Sequence, residues 1–328
     1  MRAVIVGGAG FVGLNIAEAM LAAGHDVTVL DRAAVPAAAT AAFAGLPGRL
    51  SAVQADVDDA TAVAAALAGA NLLVWGAAIT ADAARDAAEP ARILAINLAA
   101  LVPVLEAARA AGMARVINLS SAAAYGYAPP DAGPLTEEAP VDPVSLYAVT
   151  KFASERVAAR LADLWAMDLV NLRLSAAWGP WERAGGVRDT PSPQAQIMQA
   201  AAAGRPALLA RPGARDWVYA PDVAAAVLTV ATAASLPHRL YNVTTPRVST
   251  ALAFGERIAA GRPGFVCRLV RDGEAPTIDL HAPKDRAPLA PDRLATDLGW
   301  RSPGDFDAAV AAYAAWWERH GGAMMEHA

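Results

Sequence analysis

The stretch Gly7-Gly8-Ala9-Gly10-Phe11-Val12-Gly13 decides the fold of this chain. It follows an apolar run, Arg2–Val6, that predicts a short buried strand, and it opens a helical pattern over Val12–Ala23. Its spaced glycines permit a tight turn and a close approach of the backbone to a pyrophosphate, and the last one lets the helix pack closely on the strand. Free amides at the helix N-terminus would then meet the phosphate charge. The stretch therefore predicts a dinucleotide-binding turn.

Charged residues at the ends of the next two strands bear on which dinucleotide is bound. Asp31 follows the second predicted strand, Asp26–Leu30, at a distance that suits a carboxylate accepting hydrogen bonds from an adenosine ribose. Asp31 would repel a ribose 2′-phosphate, which favours NAD, whereas Arg32 could pair with that phosphate and leaves NADP possible. Asp56 ends the third strand and could bind the adenine amino group, with Val57 beside it, or it is an ordinary turn residue.

Apolar β-rich runs alternate with alanine-rich helical patterns through the first half of the chain. Further strands are predicted at Leu50–Asp56, Asn71–Trp75, Arg115–Ser120 and Leu169–Leu174, and further helices at Thr61–Leu67, Ala91–Ala111 and Leu146–Leu164. Strands that alternate with helices indicate an α/β fold in which a doubly wound parallel sheet is covered on both faces.

Glycine and proline become more frequent after Leu174. Helices are predicted at Gln194–Ala203, Asp222–Ala233 and Thr250–Ala260, an extended surface loop at Pro276–Pro291, and a last helix whose Trp316 and Trp317 pack against the core. We therefore assign residues 1–174 to a dinucleotide-binding domain, to which a segment near 216–246 returns. Residues 175–328 are assigned mainly to a smaller, interleaved substrate-binding lobe.

Composition and charge exclude several classes of function. A net charge of −5 without a basic run argues against nucleic acid or an anionic membrane as the main partner. The single Cys267 cannot form an internal disulfide, and no Cys/His cluster indicates a metal site, so a reducing, cytoplasmic location is expected. No uninterrupted apolar run reaches ~18 residues, so no transmembrane helix is expected. The longest candidate, Leu98–Ala114, is predicted to be an amphipathic helix because it carries Glu106 and Arg109.

Tyr147 and Lys151 stand four residues apart at the start of a predicted long helix. Residues at that spacing share one helix face, so the ammonium can approach the phenol or a neighbouring ribose. A nearby cation lowers the pKa of a phenol, which makes Tyr147 a usable general acid/base for interconverting an alcohol and a ketone. Ser120 and Ser121 end a strand where α/β sheets place ligands. A hydroxyl there could orient the substrate oxygen, or it could merely cap the next segment.

With further markers, the chain resembles an extended short-chain dehydrogenase/reductase of the NAD-dependent epimerase/dehydratase family. The matching residues are the glycine-rich stretch, Asp31, Asp56, Ala77-Ala78, Asn97, Ser120-Ser121, Tyr125-Gly126, Tyr147 with Lys151, Arg173, Gly179-Pro180, Arg215-Asp216-Trp217-Val218-Tyr219, Asp222-Val223 and Leu298-Gly299-Trp300. They keep the family's order and spacing nearly to the end of the chain. The resemblance implies a Rossmann-type sheet with the interleaved lobe holding the substrate.

The resemblance also implies roles for individual residues. Ser121, four residues before Tyr125, would be the catalytic hydroxyl, Tyr147 the acid/base, and Lys151 the ribose ligand that modulates the pKa of the phenol. Cofactor contacts are expected at Gly7, Gly10, Phe11, Val12, Asp31, Arg32, Asp56, Val57, Ala77, Asn97, Tyr147 and Lys151. The nicotinamide would lie near Gly179-Pro180. Family members commonly dimerise through helices that include the one bearing the tyrosine, so a homodimer is expected.

Departures from the family pattern narrow the reaction. Dehydratases generally carry an Asp-Glu pair just after the catalytic hydroxyl and decarboxylases usually a Glu, but Ala122-Ala123 stand here and supply no proton. Nucleotide-sugar members tend to place an Asn shortly before the Gly-Pro pair, where this chain has Ala176. Arg215 resembles a diphosphate-binding arginine of relatives, although it could equally pair with Asp216. Further anion ligands that the sequence leaves unranked are Arg183, Arg188 and His281.

These departures leave three functions. The first is an NAD(P)-dependent oxidoreductase that acts by hydride transfer on a secondary alcohol of a sugar, sugar acid or related polyol. The second is a nucleotide-sugar epimerase that keeps its NAD tightly bound. The third is a dinucleotide-sensing binding protein, which the presence of both Tyr147 and Lys151 disfavours because such proteins of this fold often lose the pair.

Overall fold

A computed structural model describes residues 1–183 and 189–325 of the chain, with side chains up to residue 322. The strands are β1 (Arg2–Val6), β2 (Asp26–Asp31), β3 (Leu50–Gln54), β4 (Leu72–Trp75), β5 (Arg115–Ser121), β6 (Leu169–Leu174), β7 (Ala177–Trp178), β8 (Ala207–Leu209), β9 (Ala214–Arg215), β10 (Val218–Tyr219), β11 (Leu240–Val243), β12 (Ser249–Thr250) and β13 (Cys267–Leu269).

The α-helices are α1 (Phe11–Ala22), α2 (Ala37–Phe43), α3 (Ala60–Leu67), α4 (Ala83–Ala88), α5 (Pro90–Leu94), α6 (Leu101–Ala110), α7 (Leu146–Trp165), α8 (Pro193–Ala202), α9 (Ala220–Thr232), α10 (Ala251–Ala260), α11 (Asp292–Leu298) and α12 (Phe306–Met325). A π-helical turn, Ala95–Ala99, lies between α5 and α6, and 3₁₀ turns occur at Ala122–Tyr125 and Pro130–Ala132. The short helices α2, α4 and α11 have no counterparts among the predicted elements.

The central sheet confirms the predicted doubly wound architecture. In the described part of the chain it has seven strands in the order β11-β6-β5-β4-β1-β2-β3, and each neighbouring pair is parallel. Alternate side chains of β1 enter two different cores, Ala3 and Ile5 on one face and Val4 and Val6 on the other. Helices α1 and α9 pack together on the first face, whereas α3, α6 and α7 cover the second. Burial on both faces explains the continuous apolar runs.

The smaller part of the molecule is built from short strand pairs and helices around an aromatic cluster. Strand β8 pairs with β13, β9 with β12, and β7 with β10. The ring centroids of Trp178 and Phe254 lie 5.2 Å apart, and those of Trp181 and Trp316 lie 5.1 Å apart. Trp316 and Trp317 are both buried, so the last helix packs against the core as the sequence indicates. Residues 216–246 contribute α9 and β11 beside α1 and β6, while the division at residue 174 stays a prediction.

The proline-rich segment Pro276–Pro291 differs from its prediction. It is extended, but it does not merely lie over the surface, because Ile278, Ala287 and Leu289 are buried. Isolated parallel bridges join Ile278 to Leu209 and Leu289 to Leu135. Residues distant in sequence supply these pairings, so the local proline pattern indicates a loop without indicating its burial.

One long helical stretch is strongly apolar. Among the described residues, Pro90–Ala110 has the length and a mean hydropathy, 1.7, that would suffice to cross a membrane. Its Ile93, Leu101 and Leu105 are fully buried in this structure. Core helices of compact domains commonly combine such length and hydropathy with buried apolar residues.

Candidate active site

A cleft at the carboxyl ends of β1, β2, β4 and β5 gathers almost all of the expected cofactor residues. The expected cofactor residues that line the cleft are Gly7, Gly10, Phe11, Val12, Asp31, Arg32, Asp56, Val57, Ala77, Tyr147 and Lys151. Gly13, Leu119, Ser120, Leu174 and Arg183 also line it. Ligands of doubly wound sheets bind outside the carboxyl ends of the strands, so the cleft lies where the fold would place a dinucleotide.

The glycine-rich turn leaves no space for a side chain at Gly7 or Gly13. Gly7 has φ +77°, and a Cβ there would lie 2.7 Å from the backbone nitrogen of Ala77. A Cβ on Gly13 would lie 2.6 Å from the carbonyl oxygen of Gly7. Helix α1 begins after Gly10 without a side-chain cap and without an acidic residue in its first turn. Its uncapped amides and positive dipole end therefore fit a pyrophosphate.

Asp31 lies at the end of β2 with its carboxylate held against the same turn. Its Oδ2 accepts from the Ala9 amide at 3.1 Å, and its Oδ1 accepts from the Ala33 amide at 2.9 Å. Burial raises the pKa of the Asp31 carboxyl, while the two amides and the nearby Arg183 and Arg32 act in the opposite direction. The amides fix the carboxylate at the position from which it can accept hydrogen bonds from ribose hydroxyls.

Asn97 does not line the cleft itself, and its expected contact with the cofactor stays a prediction. It is 1% exposed, and it lies in the π-helical turn Ala95–Ala99. Its amide nitrogen donates to the Ile79 carbonyl at 3.0 Å and to the Thr150 hydroxyl at 3.2 Å, and its Oδ1 accepts from the Ile79 amide at 2.7 Å. Asn97 thus joins the loop after β4 to α7, because its polar atoms satisfy a buried backbone that would otherwise be unpaired.

The first turns of α7 position Tyr147 and Lys151. Ser145 caps the helix by accepting from the Ala148 amide at 3.2 Å. Lys151 is buried, its Nζ donates to the Leu119 carbonyl at 2.8 Å, and Nζ lies 5.9 Å from the centroid of the Tyr147 ring. Burial lowers the pKa of Lys151 to about 8, although the nearby Glu155 carboxylate opposes this. A cation this near a phenol favours the phenolate.

The two serines at the end of β5 have different surroundings. The Ser120 hydroxyl is buried and donates to Glu155 Oε1 at 2.5 Å. The Ser121 oxygen accepts from the Ala123 amide at 3.1 Å, and among the described residues its proton has no acceptor. Ser120 therefore has its hydroxyl engaged within the protein, whereas Ser121 can still donate to a ligand. Ser121 is half-buried and is not one of the residues that line the cleft itself.

Glu155 and Arg173 form a buried ion pair behind the cleft, which the sequence pattern did not predict. Glu155 receives two hydrogen bonds from Arg173, Nε to Oε1 at 2.8 Å and Nη2 to Oε2 at 2.7 Å. The Arg173 guanidinium also lies 4.6 Å from the Tyr125 ring centroid. Glu155 stands one i+4 step beyond Lys151, and that spacing is the signal that could have found it. Its carboxylate pairs with Arg173 and also favours the charged form of the buried Lys151.

The Gly179-Pro180 turn lies close to the glycine-rich helix. The Asn15 side chain donates to the Pro180 carbonyl at 2.8 Å, which joins α1 to this turn. Gly179 has φ +138°, and a Cβ there would lie 2.9 Å from the Tyr219 ring. Ala176, just before the turn, uses its carbonyl to accept from the Val218 amide at 3.0 Å.

The sequence left open whether Arg215 forms a salt bridge with Asp216, and the structure shows no such salt bridge. Asp216 is fully buried and lies 3.3 Å from Nη2 of Arg286, and it also accepts from the Thr244 hydroxyl at 2.7 Å. Arg215 stacks over the Trp217 ring at 5.2 Å and has no ion pair among the described residues. Burial, with Arg286 as a nearby cation, lowers the pKa of Arg215 to about 10. Arg286 was missed because its partner lies 70 residues away.

The other candidate ligands fall in different places. Arg183 reaches the cofactor cleft. Exposed His281 has its Nε2 2.6 Å from the Pro191 carbonyl. Arg188 lies outside the described residues. Within residues 1–183 and 189–325, no group of three or more His, Cys, Asp or Glu side chains could hold a metal ion.

Comparison with known sequences agrees with this geometry. The family model described as the NAD-dependent epimerase/dehydratase family matches residues 3–244. A UDP-glucose 4-epimerase of Mycolicibacterium smegmatis is 29% identical over 229 residues, which cover 68% of this chain and 71% of that protein. A dTDP-glucose 4,6-dehydratase of Mycobacterium tuberculosis is 30% identical over 232 residues, which cover 69% of this chain and 67% of that protein.

A solved structure extends the similarity to nearly the whole chain. The Bordetella bronchiseptica enzyme WbmG in complex with NAD superposes with a TM-score of 0.76 and 25% sequence identity. The match covers 98% of this chain and 95% of that one. It includes the smaller part of the molecule, beyond the residues that the family model matches.

Proposed function

The chain belongs to the NAD-dependent epimerase/dehydratase family, and from that premise we propose that it is an NAD-dependent oxidoreductase acting by hydride transfer on a secondary alcohol of a sugar, sugar acid or related polyol. One observation carries the proposal: Tyr147 and buried Lys151 lie together in the wall of the cleft that the glycine-rich turn opens. When bound, NAD supplies the hydride acceptor. The remaining chemistry, removal of the hydroxyl proton and alignment of the alcohol, falls to side chains.

Tyr147 is the group that takes the hydroxyl proton. Its phenol lines the cleft near the Lys151 ammonium, which stabilises a phenolate and can also bind a ribose hydroxyl. The Leu119 carbonyl accepts a hydrogen bond from Nζ at 2.8 Å and so positions the ammonium. Ser121 donates its free hydroxyl proton to the substrate oxygen, since Ser120 is bound to Glu155.

Dehydration is disfavoured by the residues that follow Ser121. Elimination of water needs a second acid and a second base beside the substrate, and Ala122 and Ala123 offer neither. Both lie in the 3₁₀ turn Ala122–Tyr125, whose backbone Ser121 caps. The two alanines also stand where decarboxylases of the family usually carry a glutamate. Simple oxidation of an alcohol by bound NAD would need only the side chains of Ser121, Tyr147 and Lys151.

The test is cofactor turnover. Purified protein is mixed with NAD, or with NADP, and separately with free sugars, sugar acids and nucleotide sugars, and NADH or NADPH formation is followed by absorbance. We expect stoichiometric NADH formation with a free sugar or sugar acid. Interconversion of a nucleotide sugar without added cofactor and without a net absorbance change would contradict the dehydrogenase proposal.

A second candidate is a nucleotide-sugar epimerase that retains its NAD. Arg215 favours it, because a guanidinium stacked on Trp217 and free of ion pairs among the described residues suits a diphosphate. The named activities of the matched epimerase and dehydratase also favour a nucleotide-linked substrate. Ala176, which replaces the substrate-binding asparagine, favours the dehydrogenase. Arg215→Ala separates the two, since it should raise KM for a nucleotide sugar and leave KM for a free sugar unchanged.

Three finer statements belong to the same proposal. The protein is a homodimer, since Val149 and Leu164 of α7 and Leu94 of α5 are exposed large apolar residues that a second copy could cover. Light scattering at micromolar concentration tests this directly. NADP remains a possible second cofactor through Arg32, which is exposed at the cleft. A cytoplasmic location remains a prediction.

A further inference from the structure

Arg183 lies at the cofactor cleft although it comes from the segment that follows the Gly179-Pro180 turn. The two preceding residues fix its position. Trp181 is buried in the aromatic cluster and donates from Nε1 to Glu18 Oε2 at 2.7 Å. Glu182 is buried and accepts from the Ser192 amide at 2.7 Å. These contacts of Trp181 and Glu182 hold in place the backbone that precedes Arg183.

The Arg183 guanidinium is aimed at the glycine-rich turn. Its Nη2 donates to the Ala9 carbonyl at 2.7 Å, and the side chain lines the cleft together with Gly7, Gly10 and Asp31. Nη1 is buried and has no hydrogen-bond partner among the described residues. A buried donor without a partner is costly, and a charged one more so. A ligand oxygen at this position would remove that cost.

We propose that Arg183 is a cofactor-binding residue whose guanidinium binds the pyrophosphate of NAD beside the glycine-rich turn. A planar guanidinium with one donor fixed on Ala9 and one unpaired matches the geometry of a phosphate oxygen. The α1 N-terminus beside it carries partial positive charge but no side-chain cation. The pyrophosphate is preferred over a ribose 2′-phosphate because the nearby Asp31 carboxylate would repel a 2′-phosphate.

The inference rests on NAD as the cofactor and is tested without any sugar, so its failure leaves the proposed reaction untouched. NAD, ADP-ribose and NADP are titrated by calorimetry, and adenosine by ligand-observed NMR, into wild type, Arg183→Ala and Arg183→Lys. Arg247→Ala is the matched control, because Arg247 is exposed and does not line the cleft. Thermal unfolding of each unliganded variant reports whether it folds, and Arg183→Gln replaces Arg183→Ala if that variant does not fold.

The expected result follows from the loss of a charge-assisted contact to phosphate. Arg183→Ala should weaken NAD and ADP-ribose by the same factor, about 10- to 100-fold, and leave adenosine unchanged. Arg183→Lys should bind NAD with an affinity between those of wild type and Arg183→Ala. Arg247→Ala should bind NAD as wild type does. If the affinity for adenosine fell by the same factor, Arg183 would only support the structure of the turn, and the proposal would be overturned. Unchanged NAD binding would also overturn it, as would a loss confined to NADP, which would assign the contact to the 2′-phosphate.

Discussion

Removing one partner of the ion pair between Glu155 and Arg173 should cost far more stability than removing one partner of a surface pair of the same length, because the remaining charge would be buried. The side chains of Glu155 and Arg173 are 4% and 3% exposed and make two hydrogen bonds, at 2.8 Å and 2.7 Å. Hydrogen bonds to charged groups are worth about 1.5–3 kcal/mol each, and removing one partner of a buried pair costs about 3–5 kcal/mol. Glu155→Gln should therefore lower the free energy of unfolding by about 3–5 kcal/mol.

A double-mutant cycle measures the interaction itself. Urea unfolding of Glu155→Gln, Arg173→Met and the double variant should give a coupling energy of at least about 2 kcal/mol. The control cycle uses Arg257 and Asp307, whose Nε and Oδ1 are also 2.8 Å apart but whose side chains are 52% and 69% exposed. Solvent screens that pair, so its coupling should be about 0.2–1 kcal/mol. Equal coupling energies in the two cycles would refute the reasoning.

Two further predictions concern the cleft. Gly7→Ala should weaken NAD binding in calorimetry because its Cβ would meet the Ala77 nitrogen at 2.7 Å, whereas Gly112→Ala, with φ +66° and open space, should cost only about 1–2 kcal/mol of stability and leave NAD affinity intact. Lys151 loses its charge as pH rises through its pKa of about 8, so turnover should fall above that pH. Lys151→Arg, which stays charged, should abolish that fall in a pH–rate profile; persistence of the fall would assign it to another group.

Periodicity predicted six strands of the central sheet to within one or two residues at most of their ends, but it did not predict β11, Leu240–Val243. Strands such as Arg2–Val6 and Leu169–Leu174 are apolar on both faces, so their pattern is strong without knowledge of partners. The two-residue strands β9 and β12 were not predicted, because pairing of Ala214 with Thr250 across a long separation creates them. Alanine-rich α2 lacked a sufficiently distinct apolar face to be recognised.

The site was predictable where local spacing sets its geometry. The glycine turn and the Tyr147–Lys151 pair depend on neighbours within one turn of chain, so sequence reasoning placed them on the cleft. The hydrogen bonds of Asn97 to the Ile79 backbone were not predicted, since only the folded loop brings that backbone to its amide. The partners of Asp216 and the approach of Arg183 to Ala9 depend on segments far apart in sequence, and no local pattern reports them.

The most direct test of the central claim is the Tyr147→Phe variant, measured for turnover and for NAD affinity on the same preparation. The phenol hydroxyl is the proposed acid/base, and general acid–base catalysis contributes about 10²–10⁴-fold to rate. Turnover with the identified substrate should fall by at least about 10²-fold, while NAD affinity stays nearly unchanged, because Lys151, Asp31 and the glycine turn remain. Wild-type turnover in Tyr147→Phe would contradict Tyr147 as the residue that moves the proton.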